Sequence, residues 1–141
     1  MNHEAERLTF VVPEQFHKGL KLVRRTLEEE GLKIHHEMDV SAKLRRELGT
    51  GLAQCRVLYV DSPFSTLEAM LADRSAGVFL PLHIVVSGRN GYTLVHLLNP
   101  VSIHDSSLAV GAKAPLSRLL TQLVQMMERI GMRKVYSQIS A

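Results

Sequence analysis

The chain has no tryptophan, one cysteine, four phenylalanines and three tyrosines in 141 residues. A single thiol, Cys55, excludes an internal disulfide and any cysteine-pair metal motif. No apolar run approaches the roughly 18 residues needed to cross a bilayer. The first twenty residues are interrupted by His3, Glu4, Glu6, Arg7 and Pro13, where a secretory signal would need a continuous apolar stretch. These absences point to a cytoplasmic location with no membrane span. The charge is nearly balanced, at a formal net +3, which lacks the strong basic excess of a dedicated nucleic-acid binder.

What is present is a chain of ordinary globular composition, 45% hydrophobic and 22% charged. Its length suits one domain, 1–141, able to bury roughly two thirds of its unfolded surface without disulfides. We place the core of that domain at about 8–100, followed by a C-terminal helix over 115–130. No internal repeat or linker stands out.

Leu8, Phe10 and Val12 alternate as a strand that Pro13 ends. Phe16, Leu20, Val23 and Leu27 recur at helical spacing, with Gly31 as the stop. Ile34, His36, Met38 and Val40 alternate in the next strand, so His36 is expected to face with the apolar set. A short basic helix over 41–48 precedes Gly49-Thr50-Gly51. The strand 55–60 leads to Ser62-Pro63, a cap followed by a residue suited to the first helical turn. Ser65 and Glu68 offer an alternative capping box. Either start gives a stripe through Leu67, Met70 and Leu71, expected to pack on the sheet.

Residues 83–87 and 92–98 form a hairpin around Asn90-Gly91. Two registers are open: a four-residue loop sets His83 opposite His96, whereas a two-residue turn sets His96 opposite Val85. Residues 101–114 lack periodicity and are expected to be a loop. From Pro115 to Ile130, Leu116, Leu119, Leu120, Leu123 and Met127 form the stripe of a long helix. The order predicts an α+β domain, a mostly antiparallel sheet with helices on one face; a ferredoxin-like split arrangement is the alternative.

From about Phe16 to Pro100 the chain resembles the bacterial and archaeal family known as domain of unknown function 302. The resemblance is carried by Glu30-Gly31, Val57-Leu58-Tyr59-Val60 with Ser62-Pro63, the 71–76 segment, Leu80-Pro81, Ile84-Val85-Val86 and Asn99-Pro100, in that order. It implies a TATA-binding-protein-like fold of order β, α, four β, α, and a homodimer. It implies no nucleic-acid activity, because a fold does not confer a function. Where many members carry cysteines, this chain has Asp61 and Leu82, so cysteine-based chemistry is not carried over.

With the dimer that the resemblance implies, the expected function is that of a non-enzymatic dimeric domain that binds a small ligand or a protein partner. Its expected site is the sheet face or cleft near Asp61, Ser62, Pro81, His83 and His96, where helix and strand ends meet. No nucleophile elbow is present, and 88–91 lacks the following helix of a phosphate-binding glycine loop. Neither a catalytic residue nor a cofactor is assigned. The alternative is a metal- or haem-binding protein or enzyme using His36, His83 and His96, with Asp61 in support. Nucleic-acid binding through Lys43, Arg45 and Arg46 is a weaker third reading; Cys55 reads as a buried or edge thiol.

Overall fold

A computed structural model of the chain describes residues 7–51 and 53–134, so the outer ends of the expected 1–141 unit lie outside the described residues. The elements are β1 (Arg7–Val12), α1 (Phe16–Glu29), β2 (Lys33–Asp39), α2 (Val40–Leu48), β3 (Cys55–Asp61), α3 (Pro63–Ala72), β4 (Leu82–Arg89), β5 (Tyr92–Leu98), α4 (Pro100–His104), α5 (Val110–Ile130) and β6 (Met132–Arg133). A 3-10 segment, Arg74–Phe79, joins α3 to β4. The strands form one sheet in the order β2-β3-β4-β5-β1-β6. Every pairing is antiparallel, which makes this an α+β fold.

Strand alternation sorts the sheet into two faces. Leu8, Phe10 and Val12 of β1, Leu58 and Val60 of β3, Leu82, Ile84 and Val86 of β4, and Val95 and Leu97 of β5 are buried together. Against them pack Leu20, Val23 and Leu27 of α1 and Leu116, Leu119, Leu120, Leu123 and Met127 of α5. Each such aliphatic side chain contributes about 1.5–3 kcal/mol on leaving water. Thr93 belongs to this face. Its hydroxyl donates to the Glu14 carbonyl at 2.8 Å, and a Cβ on Gly19 would come within 2.3 Å of it. Only a glycine there lets α1 approach β5 so closely.

The helix ends follow from local chemistry. Gly31, at φ 78°, closes α1. Its N–H reaches the Glu28 carbonyl and that of Leu32 reaches Leu27, a Schellman arrangement. Asp39 caps α2 by accepting the Ala42 N–H at 2.9 Å. Gly91, at φ 84°, completes the two-residue turn that pairs Arg89 with Tyr92 and Val85 with His96. Of the two open registers, the structure therefore takes the shorter turn.

Five expectations are corrected. The β2 register shifts between Ile34 and His36, so Ile34 pairs with core-facing Val60 while His36 pairs with Tyr59 on the opposite face. The 101–114 stretch is not simply a loop, since it holds most of α4 and the start of α5. That helix begins at Val110 and not at Pro115, and Pro115 lies inside it; a proline suited to a first turn conceals a helix already under way. Ser62 occupies the cap position of α3 without a side-chain cap bond. Ser65 then falls within the first turn, so it is not a cap.

The fifth correction concerns α3 itself. Leu67 and Leu71, expected on the sheet, are 58% and 79% exposed, and Met70 is 36% exposed. Buried Ala69 is the residue this helix contributes to the core, and the helix packs chiefly along α5. Its apolar stripe points outward.

The join of α5 to β6 depends on Gly131, where an added Cβ would lie 2.5 Å from the Val11 carbonyl oxygen. Its backbone is extended, so the constraint is space alone. Gly131→Ala is expected to destabilise the protein by about 1–3 kcal/mol in urea unfolding. A variant as stable as the parent would mean that this junction relaxes.

Candidate functional site

The second face of the sheet is only partly covered. Along it run His36 and Met38 of β2, Val57 and Tyr59 of β3, His83 and Val85 of β4, Leu94 and His96 of β5, and Thr9 of β1, aligned by register. Most are half-buried or exposed, while Thr9 and Leu94 are buried. Tyr59 lies between two histidines. Its ring centroid is 5.6 Å from that of His36 and 4.7 Å from that of His83 in an edge-on contact.

Pro81, His83 and His96 line one cavity of about 340 Å³, with Arg7, Val78, Phe79, Leu82, Val85, Leu97 and Leu98. It forms at the end of the sheet where β4 begins and β5 ends, because the 3-10 segment carries Val78 and Phe79 to that edge. The Leu80-Pro81 peptide is cis and leads directly into β4. The walls are largely apolar, and the two imidazoles and the Arg7 guanidinium supply polar groups.

His96 is the most constrained of these groups. Its Nδ1 is 2.9 Å from the Thr9 hydroxyl, the residue directly opposite on β1. Burial holds the imidazole below its ordinary value of 6.5, and the positive charges of Arg7, Arg89 and Lys134 push it down further. A neutral ring is therefore favoured near neutral pH.

Asp61 and Ser62 do not line this cavity, although pairing of Val60 with Leu82 sets their joint beside Leu80-Pro81. Asp61 is buried, with one carboxylate oxygen 2.5 Å from His35 Nε2 and the other accepting the Thr66 hydroxyl at 2.8 Å. It ties the bulge of β2 to the first turns of α3. The sequence reading missed His35, because an unbroken alternation placed His36 as the functional member of the pair. A bulge leaves no signal in the hydrophobic pattern.

The alternative metal set is not assembled. Tyr59 separates His36 from His83 across the sheet, and two strand spacings put their backbones about 9–10 Å apart. His96 pairs with Val85, diagonal to His83. Among the described residues no group of three or more His, Cys, Asp or Glu is placed to hold a metal ion. Cys55 is half-buried and free; burial, then nearby Asp39, pushes its thiol up, away from the thiolate form. In the basic helix α2, Lys43 pairs with Glu47 at 2.5 Å, while Arg45 and Arg46 lie in the last turn, where the helix dipole favours them.

The fold and site define a class: a small α+β domain with a six-stranded antiparallel sheet, helices packed on one face and a cavity at the edge of the other. The chain belongs to the family described as domain of unknown function DUF302, which matches residues 8–131. A similar solved structure is the crystal structure of an uncharacterized conserved DUF302 protein from Bacillus stearothermophilus. The two are 20% identical, with a TM-score of 0.76 over 88% of this chain and 97% of that one. Comparison with curated proteins finds no match.

The His96 environment has a measurable consequence. Its pKa is lower folded than unfolded, so its contribution to stability is fully present above about 6.5 and declines as pH falls from there toward the lowered folded value. The groups that face it are Arg7 from β1, Arg89 and His83 from β4, Tyr92 from β5, and Lys134 beyond β6. Between about pH 7.5 and pH 5 the parent should lose more stability than His96→Gln in denaturant titrations. Equal losses would show that His96 titrates as it does in the unfolded chain.

Proposed function

We propose that this chain is a non-enzymatic ligand-binding domain whose site is the cavity over Val85 and His96. The observation that carries the reading is the convergence of His83, His96 and Arg7 on one largely apolar cavity of about 340 Å³. That combination of apolar walls with a few converging polar groups suits a small organic ligand. A binding role is favoured over a catalytic one by the chemistry of the candidate groups. His96 is engaged by Thr9, and the thiol of Cys55 is pushed up, so neither forms an activated nucleophile and base. A cytoplasmic setting fits the single free cysteine. Among the described residues no helix is long and apolar enough to cross a membrane.

A screen of small organic compounds, followed through backbone amide shifts, tests the reading. Hits should perturb Phe79, His83, Val85, His96 and Leu98, and Val85→Phe should weaken them about tenfold by filling the cavity. Hits confined to the separate groove of about 450 Å³ around Gln15, Phe16 and Gly88–Gly91 would remove the assignment.

We further propose a homodimer, with α3 as its contact. Phe64, Leu71, Val78 and Val110 are 79–85% exposed, and Leu67 is 58% exposed. Large apolar side chains at one end of the molecule are the kind of surface that marks an interface. Phe64, Leu67 and Leu71 follow helical spacing, so a twofold axis beside α3 would set like against like. The exposed pair of Glu68 with Arg118, at 3.0 Å, provides a polar rim of both signs. Light scattering should report a dimer for the parent and a monomer for Leu71→Glu; a parent that is monomeric at high concentration would refute it.

A further inference from the structure

The apolar cavity and the exposed apolar patch meet at the 3-10 segment Arg74–Phe79. Val78 lines the cavity and is also 85% exposed, so the wall it forms has the cavity on one side and water on the other. The segment is fixed to its neighbours at its base. Asp73 accepts the Ser75 N–H at 2.9 Å on one carboxylate oxygen and the Ala109 N–H at 3.0 Å on the other. That one carboxylate joins the end of α3 to the 3-10 turn and to the start of α5, and so positions Leu71, Val78 and Val110 relative to one another. Ala76 is fully buried, and a Cβ on Gly77 would lie 3.3 Å from Met70 Cε, which sets the middle of the segment against α3. Past these anchors, Phe79 is half-buried at the cavity, and Val78 belongs both to the cavity wall and to the patch.

We infer that a second copy of this chain closes the outer wall of the cavity, so that ligand binding and dimerisation reinforce each other. This rests on the proposed ligand-binding and homodimer readings and adds the regulation that links them. A twofold axis beside α3 brings the 3-10 segment to the interface, because that segment packs along α3. A wall one segment thick and wetted on its outer side has few buried apolar contacts, which makes its local stability low. The second copy packs on the outer side of Val78, and an apolar ligand packs on the inner side of the same segment. Neither occupant takes the other's place, and each restrains the wall that the other needs restrained. That geometry sets the sign of the coupling as positive, and a coupling between two binding events acts equally in both directions. Covering Val78 also takes an apolar side chain out of water next to the ligand.

The chain has no tryptophan, so the emission of added indole can be read without a tryptophan background. Indole binding to the full chain is followed by that emission and by amide shifts at Val85 and His96, at protein concentrations above and below the dimer dissociation constant. The dimer should bind indole about fivefold more tightly than the diluted parent or the monomeric Leu71→Glu. With one site per protomer, saturating indole should tighten the dimer in sedimentation equilibrium by the square of that factor, about 25-fold. Val85→Phe should still dimerise but show no effect of indole, and Val78→Ala should bring the fivefold ratio toward one. Leu71 and Val78 are both exposed, and melting curves matched to the parent will confirm that the variants are folded. A dimer loosened by indole, or tightened equally in Val85→Phe, would overturn the inference. If monomer and dimer bind indole equally, with shifts at Val85 and His96, the coupling fails and both readings survive. A parent that stays monomeric removes the dimer and the coupling together and leaves the ligand-binding reading intact. If indole gives no shifts at Val85 and His96 the coupling fails; screening hits that map there keep the ligand-binding reading standing, and their absence removes it as well.

Discussion

The close seating of α1 and α5 on one face of the sheet is the constraint from which the other features follow. Gly19 admits the side chain of Thr93 where a Cβ would clash at 2.3 Å, and Gly131 admits the Val11 carbonyl at the other helix. With both helices held at these distances, Phe10, Leu58, Ile84 and Val95 are fully buried. Strand alternation then commits the intervening residues to the other face. His83, Val85, His96 and Thr9 share a surface because their neighbours are locked into the core.

That commitment explains why the open face can hold polar groups at all. A histidine buried in the helix-side core would need a partner for each polar atom or incur a large desolvation cost. On the half-covered face His96 meets this with one hydroxyl from Thr9 while the rest of its environment stays adaptable. The three cations around it repel one another and its own protonated form. Between α1 and β2, Arg24 donates two hydrogen bonds of 2.7 Å to Glu37.

Most elements were legible in the sequence because their signals are local. The stripe of Phe16, Leu20, Val23 and Leu27 and the Asn90-Gly91 turn specify structure within a few residues, and the family resemblance rests on such short signals in order. The failures also have local causes. Leu67, Met70 and Leu71 make a stripe whether it faces a core or solvent. The bulge between Ile34 and His36 breaks a period that composition cannot reveal. Pro115 is compatible with a helix start and also with a helix interior. Of the candidate residues, Pro81, His83 and His96 meet at one cavity, whereas Asp61 is engaged by His35 and Thr66. The placement of Arg89 and Lys134 beside His96 could not be read, because they approach from the ends of different strands.

The amino-acid sequence by itself determined most of the strands and helices, the Asn90-Gly91 turn and the family, since each depends on side-chain periodicity and backbone preference over short distances. Tertiary structure alone decided the β2 bulge, the outward stripe of α3 and the meeting of His83, His96, Arg7, Arg89 and Lys134 on one face of the sheet. Those outcomes depend on register and strand order. Register is set by cooperative burial of the whole helix-side face, and no local pattern carries it.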